Sequence, residues 1–386
     1  MRFLYRACVG TLIFGGSVLV QAADTGPTVA GSGYAAPGLI RVAPGQVMTF
    51  FVTGLKTVLP PDARTDRAKG LPLPTTLGGL SVRLRQPYIG GFSGEIPLFA
   101  VQQFDRCSDT ATALPDCILT ALTVEIPFEL RIPLPEAASV LFAEVVIEEN
   151  GVAGQPFLLL PVANNPHILT LCDLLVNSPS SAVICDPVVT HADGSLVSIS
   201  NPATSDEVLV LYAVGLGDTS ANPPAGVATP PPAPSVTTPF GLLFDYVDPL
   251  TISPLAGIST SPQTSILFAG LTPGMVGLYQ INFRVRPLPP GFPECHELGS
   301  PNLTISLVSP SGAIDSAHIC VDGTASSPST ASESSDARTK TPTSPFPPNT
   351  IWYPLGSNLT SLGQPIPPDS AGLPPRQTIG VVPSEP

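Results

Sequence analysis

From Leu122 to Leu130 every second residue is apolar: Leu122, Val124, Ile126, Phe128 and Leu130 alternate with Thr123, Glu125, Pro127 and Glu129. Side chains of an extended chain point to opposite faces in turn, so this period of two predicts a strand with one face on a core and the other in water. Leu80, Val82 and Leu84 alternate in the same way, as do Leu303, Ile305 and Leu307. Turn-forming pairs punctuate the runs, at Pro44–Gly45, Gly78–Gly79, Asn150–Gly151, Asp193–Gly194 and Pro273–Gly274. Helices have little room beside them, because 49 of the 386 residues are proline, which lacks an amide hydrogen and clashes with the preceding turn. Only Ala111 to Ala121 leaves space for a helical turn or two. The expected class is all-β, and short strands with regular turn signals predict sandwiches.

The same design returns about 160 residues later, in Tyr279–Gln280–Ile281–Asn282–Phe283–Arg284–Val285–Arg286–Pro287. Its surroundings return with it. The stretch 43–55 and the stretch 204–216 each run from a polar turn through an apolar strand with an aromatic to Gly-Leu, at Gly54–Leu55 and Gly215–Leu216. Pro97–Leu98–Phe99–Ala100–Val101 answers Ile266–Leu267–Phe268–Ala269–Gly270, and a hairpin signal at Asn150–Gly151 or Ser311–Gly312 closes each half. β-Proteins produce single coincidences of this kind freely, but four elements in one order favour an internal duplication.

Arg2 and Arg6 precede an apolar run from Ala7 to Val20, and Val20–Gln21–Ala22 offers small residues for cleavage. This is the pattern of a secretory signal peptide over 1–22, with the mature chain beginning at Ala23. No later stretch approaches the ~20 apolar residues of a membrane-spanning helix, so no transmembrane segment is expected. The positive mean hydropathy of +0.32 reflects scarce charge, at 12% of residues. Loss of Arg2 and Arg6 leaves 14 basic against 29 acidic side chains, a net charge of −15. So acidic a chain, with lysine confined to Lys56, Lys69 and Lys340, lacks the basic footprint of a nucleic-acid binder and is repelled by anionic lipid.

Six cysteines remain after cleavage: Cys107, Cys117, Cys172, Cys185, Cys295 and Cys320. An even number in an exported chain points to disulfides, and no CxxC spacing points to zinc. The neighbour pairing Cys107–Cys117, Cys172–Cys185 and Cys295–Cys320 is expected, because each pair flanks a loop-like insertion. From Asp322 onward the composition shifts to 13 prolines and 19 Ser or Thr among 65 residues. Such a stretch cannot bury enough apolar surface to offset chain entropy, which predicts a disordered tail. Ile351–Trp352–Tyr353 is its one aromatic spot.

The second half resembles the Solibacter-type uncharacterised C-terminal domain, a family of secreted acidobacterial immunoglobulin-like modules. The residues that carry the resemblance are Asp193–Gly194–Ser195–Leu196, Ser200–Asn201–Pro202–Ala203, the run 208–217 and above all the run from Ile266 to Asn282, ILFAGLTPGMVGLYQIN. The first half is similar to the partner module found before it, through Ala43–Pro44–Gly45–Gln46, the run 77–82 and Ile126–Pro127–Phe128–Glu129–Leu130. The cysteines and the Pro-rich loops around Pro230–Pro234 and Pro287–Pro293 depart from the family pattern, as does 251–263. The resemblance implies two tandem immunoglobulin-like β-sandwich domains, at 23–172 and 173–322, before the tail at 323–386. It implies a secreted bacterial protein, extracellular, at the cell surface or periplasmic, and supplies no catalytic residue or cofactor. In the signature itself, Pro273–Gly274 suits a tight turn, and Gly277 would let a neighbouring backbone come close.

Chemical motifs are sparse. No GxSxG elbow is present, and Gly91–Phe92–Ser93–Gly94 stops short of one. His191–Ala192–Asp193 could join an imidazole to a carboxylate, but Asp193–Gly194 is first a turn signal. Glu294–Cys295–His296–Glu297 has the residue types of a metal site without the spacing of HExxH or a calcium loop, and reads as a stapled, solvated loop. Asn302–Leu303–Thr304 and Asn358–Leu359–Thr360 fit the glycosylation sequon, with no consequence expected in a bacterial chain. No catalytic, cofactor or metal residue is therefore expected. The leading expectation is a non-enzymatic structural or adhesive protein of the cell surface or extracellular matrix, with an unknown protein or glycan partner. The alternative is a carbohydrate- or peptide-binding module using Trp352, Tyr353, Tyr88 and Phe92, since sugars stack on exposed aromatics. A third reading, a hydrolase, needs His191, His167 or Asp186 in an interdomain pocket.

Overall fold

The computed structural model describes residues 28–32, 40–57, 59–60, 64–88, 90–105, 118–132, 142–174, 185–247, 266–323, 350–351 and 382–383. The expected signal peptide, Cys107, Cys117, Trp352, Tyr353, Asn358 and nearly all of the tail lie outside the described residues, as does the side chain of Cys172.

In chain order the first half carries β1 (Thr28–Ser32), β2 (Ile40–Val42), β3 (Val47–Thr53), β4 (Thr65–Arg67), β5 (Thr76–Leu77) and β6 (Leu80–Arg85). Then come β7 (Ser93–Glu95), β8 (Leu98–Asp105), β9 (Ile118–Glu125), β10 (Ala143–Glu149), β11 (Val152–Ala153) and β12 (Phe157–Pro161). The second half carries β13 (His167–Ile168), α1 (Leu171–Leu174), β14 (Val189–Thr190), β15 (Ala203–Thr204), β16 (Val208–Val214) and β17 (Gly241–Tyr246). It continues with β18 (Ile266–Leu271), β19 (Tyr279–Arg284), α2 (Cys295–Leu298), β20 (Leu303–Val308), β21 (Ile314–Ile319) and β22 (Val321–Asp322). Beyond Gly323, β23 (Thr350–Ile351) and β24 (Val382–Pro383) pair antiparallel. The described chain is all-β, its two helices being four residues each. Ile118–Ala121, the described end of the stretch expected to hold a helical turn, is strand.

In the first half a sheet of order β1-β3-β9-β8-β4 faces one of order β2-β12-β10-β6-β5. Met48, Phe50, Val52, Leu122 and Val124 from one meet Leu80, Val82, Leu84, Val145 and Leu159 from the other in a dry core. In the second half β13-β16-β19-β18 faces β17-β20-β21, with Leu209, Leu211, Ile281 and Phe283 packed on Leu242, Phe244, Leu303, Ile305 and Leu307. Both halves share one arrangement of three antiparallel strands, β3–β9–β8 and β16–β19–β18. A register shift interrupts the outer pairing of each, between Leu98 and Ala100 and between Ile266 and Phe268. Three of the four stretch pairs expected to be duplicates fall on these six strands. Asn150 and Gly151, both at positive φ, make the tight turn from β10 to β11, as their residue types predict.

Two details differ from the expected strands. The alternation from Leu122 to Leu130 yields a strand only to Glu125, because Pro127 has no amide to donate and the ladder ends with Ile126 N donating to the Gln46 carbonyl at 2.8 Å. The polar face of this strand does not meet water either: all eight residues of β9 are buried. A third apolar cluster explains it. Val47, Leu73, Phe99 and Ala100 of the first half pack on Leu169, Val188, Val210, Tyr212, Val214, Met275, Val276 and Leu278 of the second. The outer faces of the two central sheets therefore cover each other.

Candidate functional site

The junction between the halves holds a buried acid. Glu125, at the end of β9, is 0% exposed. The backbone N–H of Gly226, in the Pro-rich loop after β16, donates to its Oε2, while Oε1 has no hydrogen-bond partner among the described residues. Burial pushes this carboxyl up to about 8; the Gly226 N–H acts against the shift and the Glu129 charge adds to it. At neutral pH the group is a neutral acid.

The loop is held from both sides: Leu73 N donates to the Gly226 carbonyl and Thr229 N to the Met275 carbonyl, each at 2.8 Å. Tyr279 Oη, fully buried, donates to the Gly217 carbonyl at 2.6 Å, and burial with the Glu125 and Asp218 charges raises its hydroxyl pKa strongly. Gly277, at φ +62°, sits so close that a Cβ would meet the Val47 side chain and, at 3.1 Å, the Gly45 carbonyl. The neighbouring backbone that this glycine admits thus belongs to the first half.

The histidines named from the sequence are brought to separate places. His167 lies between two carboxylates, Nε2 to Asp173 Oδ2 at 3.0 Å and Nδ1 to Asp315 Oδ2 at 3.2 Å. Burial lowers its pKa, but the two aspartates outweigh it and lift it to about 9. Asp173 is 0% exposed, and burial would raise its carboxyl, yet His167 and Thr170 hold it below the usual carboxylate range. His191 does not pair with Asp193. Its Nδ1 meets Glu207 Oε1 at 2.6 Å and its Nε2 the Asn201 carbonyl at 3.3 Å, and the Glu207 bond is the main cause of its raised pKa. Asp193 instead accepts from Ser195 N and Oγ at 2.9 and 2.7 Å, closing the turn that its residue type announced.

With both ring nitrogens of His167 and His191 engaged, neither presents a free lone pair to a nucleophile. His167 is opposite Val214 and Thr190 opposite Val210, a spacing of roughly 13 Å along β16 at ~3.3 Å per residue. Asp186 touches α1 through its backbone, its carbonyl accepting from Leu171 N at 2.8 Å.

Tyr88 and Phe92, the candidate sugar platforms, are both half-buried. Tyr88 Oη donates to the Arg131 carbonyl at 3.1 Å, and Phe92 packs on the first core. Asn302 of the first sequon is 1% exposed, its amide donating to the Pro293 and Val321 carbonyls at 3.2 and 2.8 Å.

Cys295 and Cys320 form a disulfide with Cα atoms 5.2 Å apart, and Cys185 is also disulfide-bonded. The first of these bonds ties α2 to the end of β21 and gathers a cluster the sequence had only in part. His296 Nδ1 lies 2.9 Å from Asp322 Oδ2 and 3.3 Å from Glu294 Oε2. Glu297 is not in the group, and Asp322 is the member that sequence reasoning missed. The signal for it was the pairing itself: bonding Cys295 to Cys320 carries Asp322 to the residue after Cys295.

Among the described residues, no helix is long and apolar enough to cross a membrane. No family model and no curated protein matches the chain. Among solved structures it is similar to the Yersinia pseudotuberculosis adhesin InvE, at 13% sequence identity, over 78% of this chain and 60% of that one, with a TM-score of 0.18. The chain thus spans less than two thirds of that protein's length.

Proposed function

We propose that this is an exported, non-enzymatic structural or adhesive protein of the cell surface or extracellular matrix. In this reading it is built from two tandem immunoglobulin-like modules of the Solibacter-type kind, followed by a disordered tail. The observation that carries the reading is the third core. Met275, Val276 and Leu278 belong to the run that bears the family resemblance, and they meet the first half rather than a cleft. A signature devoted to docking two sandwiches serves a stiff two-module body, which suits a load-bearing or spacing role. The repeated three-strand arrangement and the engaged histidines support it further.

The test joins location to role. The secreted and surface fractions of the source cells are probed with an antibody to the mature chain, and a deletion strain is scored for attachment to surfaces and to other cells. The expected result is extracellular protein and reduced attachment on deletion. Cytoplasmic retention, or unchanged attachment in the deletion strain, overturns the proposal.

A further inference from the structure

We propose that Glu294, His296 and Asp322 form a binding site for a divalent transition-metal cation of the zinc type. The three ligand atoms, Glu294 Oε2, His296 Nδ1 and Asp322 Oδ2, all lie within 4.8 Å of one another. Zinc takes nitrogen and oxygen ligands at roughly 2.0–2.2 Å, which in a tetrahedron sets neighbouring ligands roughly 3.4 Å apart. The ring nitrogen is 3.3 Å from one carboxylate oxygen and 2.9 Å from the other, two edges close to that spacing, and the edge between the two carboxylate oxygens is within 4.8 Å.

The carboxylates are aimed before any ion arrives. Gly323 N donates to Glu294 Oε1 at 3.0 Å and His296 N to Asp322 Oδ1 at 3.3 Å. Each acid thus spends one oxygen on a backbone N–H and turns the other to the imidazole. Such outer contacts orient metal ligands. Asn302 and the Cys295–Cys320 bond hold the two contributing segments together.

The ligand set selects the ion. One imidazole nitrogen with two carboxylates suits zinc-like cations, whereas calcium takes six to eight oxygens. Three protein ligands leave a fourth position open to water or to a group from a partner. Because Gly323 is fastened to Glu294, a bound ion would also brace the point where the chain leaves β22.

The experiment is calorimetric titration of the full mature chain, disulfides intact, with Zn²⁺ alone and with Ca²⁺ alone. One Zn²⁺ per chain and no comparable Ca²⁺ heat are expected. His296→Gln and Asp322→Asn should each weaken Zn²⁺ binding by about 10-fold or more, while Glu297→Gln leaves it unchanged. Mass mapping of the Cys295–Cys320 bond in each variant separates lost binding from lost folding. Absence of Zn²⁺ binding to the wild-type chain overturns the site, as does binding that survives both substitutions in folded variants.

Discussion

Glu125 makes the stability of the junction depend on pH in a direction opposite to that of an ordinary paired carboxylate. Its folded pKa of about 8 stands above the ordinary glutamate value of 4.5. Between those two values the folded protein holds a proton that the unfolded chain has released, so stability falls as pH rises. The contribution is fully present below about pH 4.5 and is lost as pH climbs through about 8. The slope is somewhat over ~1 kcal/mol per pH unit, and the whole window amounts to on the order of 5 kcal/mol.

Glu125→Gln removes the titration and preserves both the shape and the acceptor for Gly226 N–H. Wild type and variant should differ by about 1 kcal/mol or less at pH 5, whereas the variant should be more stable by several kcal/mol at pH 9, on the order of the full window. The assay is urea unfolding of the mature chain followed by far-UV circular dichroism at half-unit steps from pH 5 to 9, disulfides intact. His167, His191 and Tyr279 are common to both proteins, so the difference curve isolates Glu125. A difference that is flat across the window, or that grows toward acid pH, refutes the assignment of a buried neutral acid.

Three further outcomes follow from the same geometry. His167→Ala should destabilise by about 3–5 kcal/mol, because it strands Asp173 in the interior; the ion pair should weaken below the normal carboxylate range as Asp173 protonates and above about pH 9 as His167 loses its proton, which pH-dependent unfolding reads directly. Gly277→Ala should cost several-fold more than Gly291→Ala. Both glycines have positive φ, but nothing lies within 4 Å of a Cβ at Gly291, so that variant pays only about 1 kcal/mol of backbone strain in thermal unfolding. Replacing Cys295 and Cys320 together by serine opens a bond between residues 25 apart in sequence and should lower stability by about 3 kcal/mol in the same assay.

Much of the build was legible in the residues. The alternation in Leu80–Leu84 and Leu303–Leu307 became β6 and β20 with the apolar residues inward, and the Asn-Gly and Pro-Gly pairs became turns with glycine at positive φ. These are local effects: one strand's pleat and one turn's dihedrals depend on a few neighbours. The site was legible only in fragments. His296 and Glu294 were visible as ligand types, but Asp322 joins them through a disulfide that spans 25 residues. His191 was adjacent to Asp193 in sequence and took Glu207 instead, since Asp193 closes its own turn.

The residue pattern by itself determined that the chain folds as strands and which face of β6 and β20 turns inward, because period two and proline act within a segment. Only the tertiary structure decided the fate of the other face. Glu125 and Thr123 read as solvent-facing residues of a half-buried strand, and both are 0% exposed, with Thr123 Oγ1 3.0 Å from the Oγ1 of the equally buried Thr49. What covers that sheet is the outer face of β16, a loop and a signature turn, all from the other half of the chain. A polar residue in an alternating pattern carries the same pleat whether water or a second sheet lies above it, so its burial, and the shifted titration that comes with burial, arises only where the halves meet.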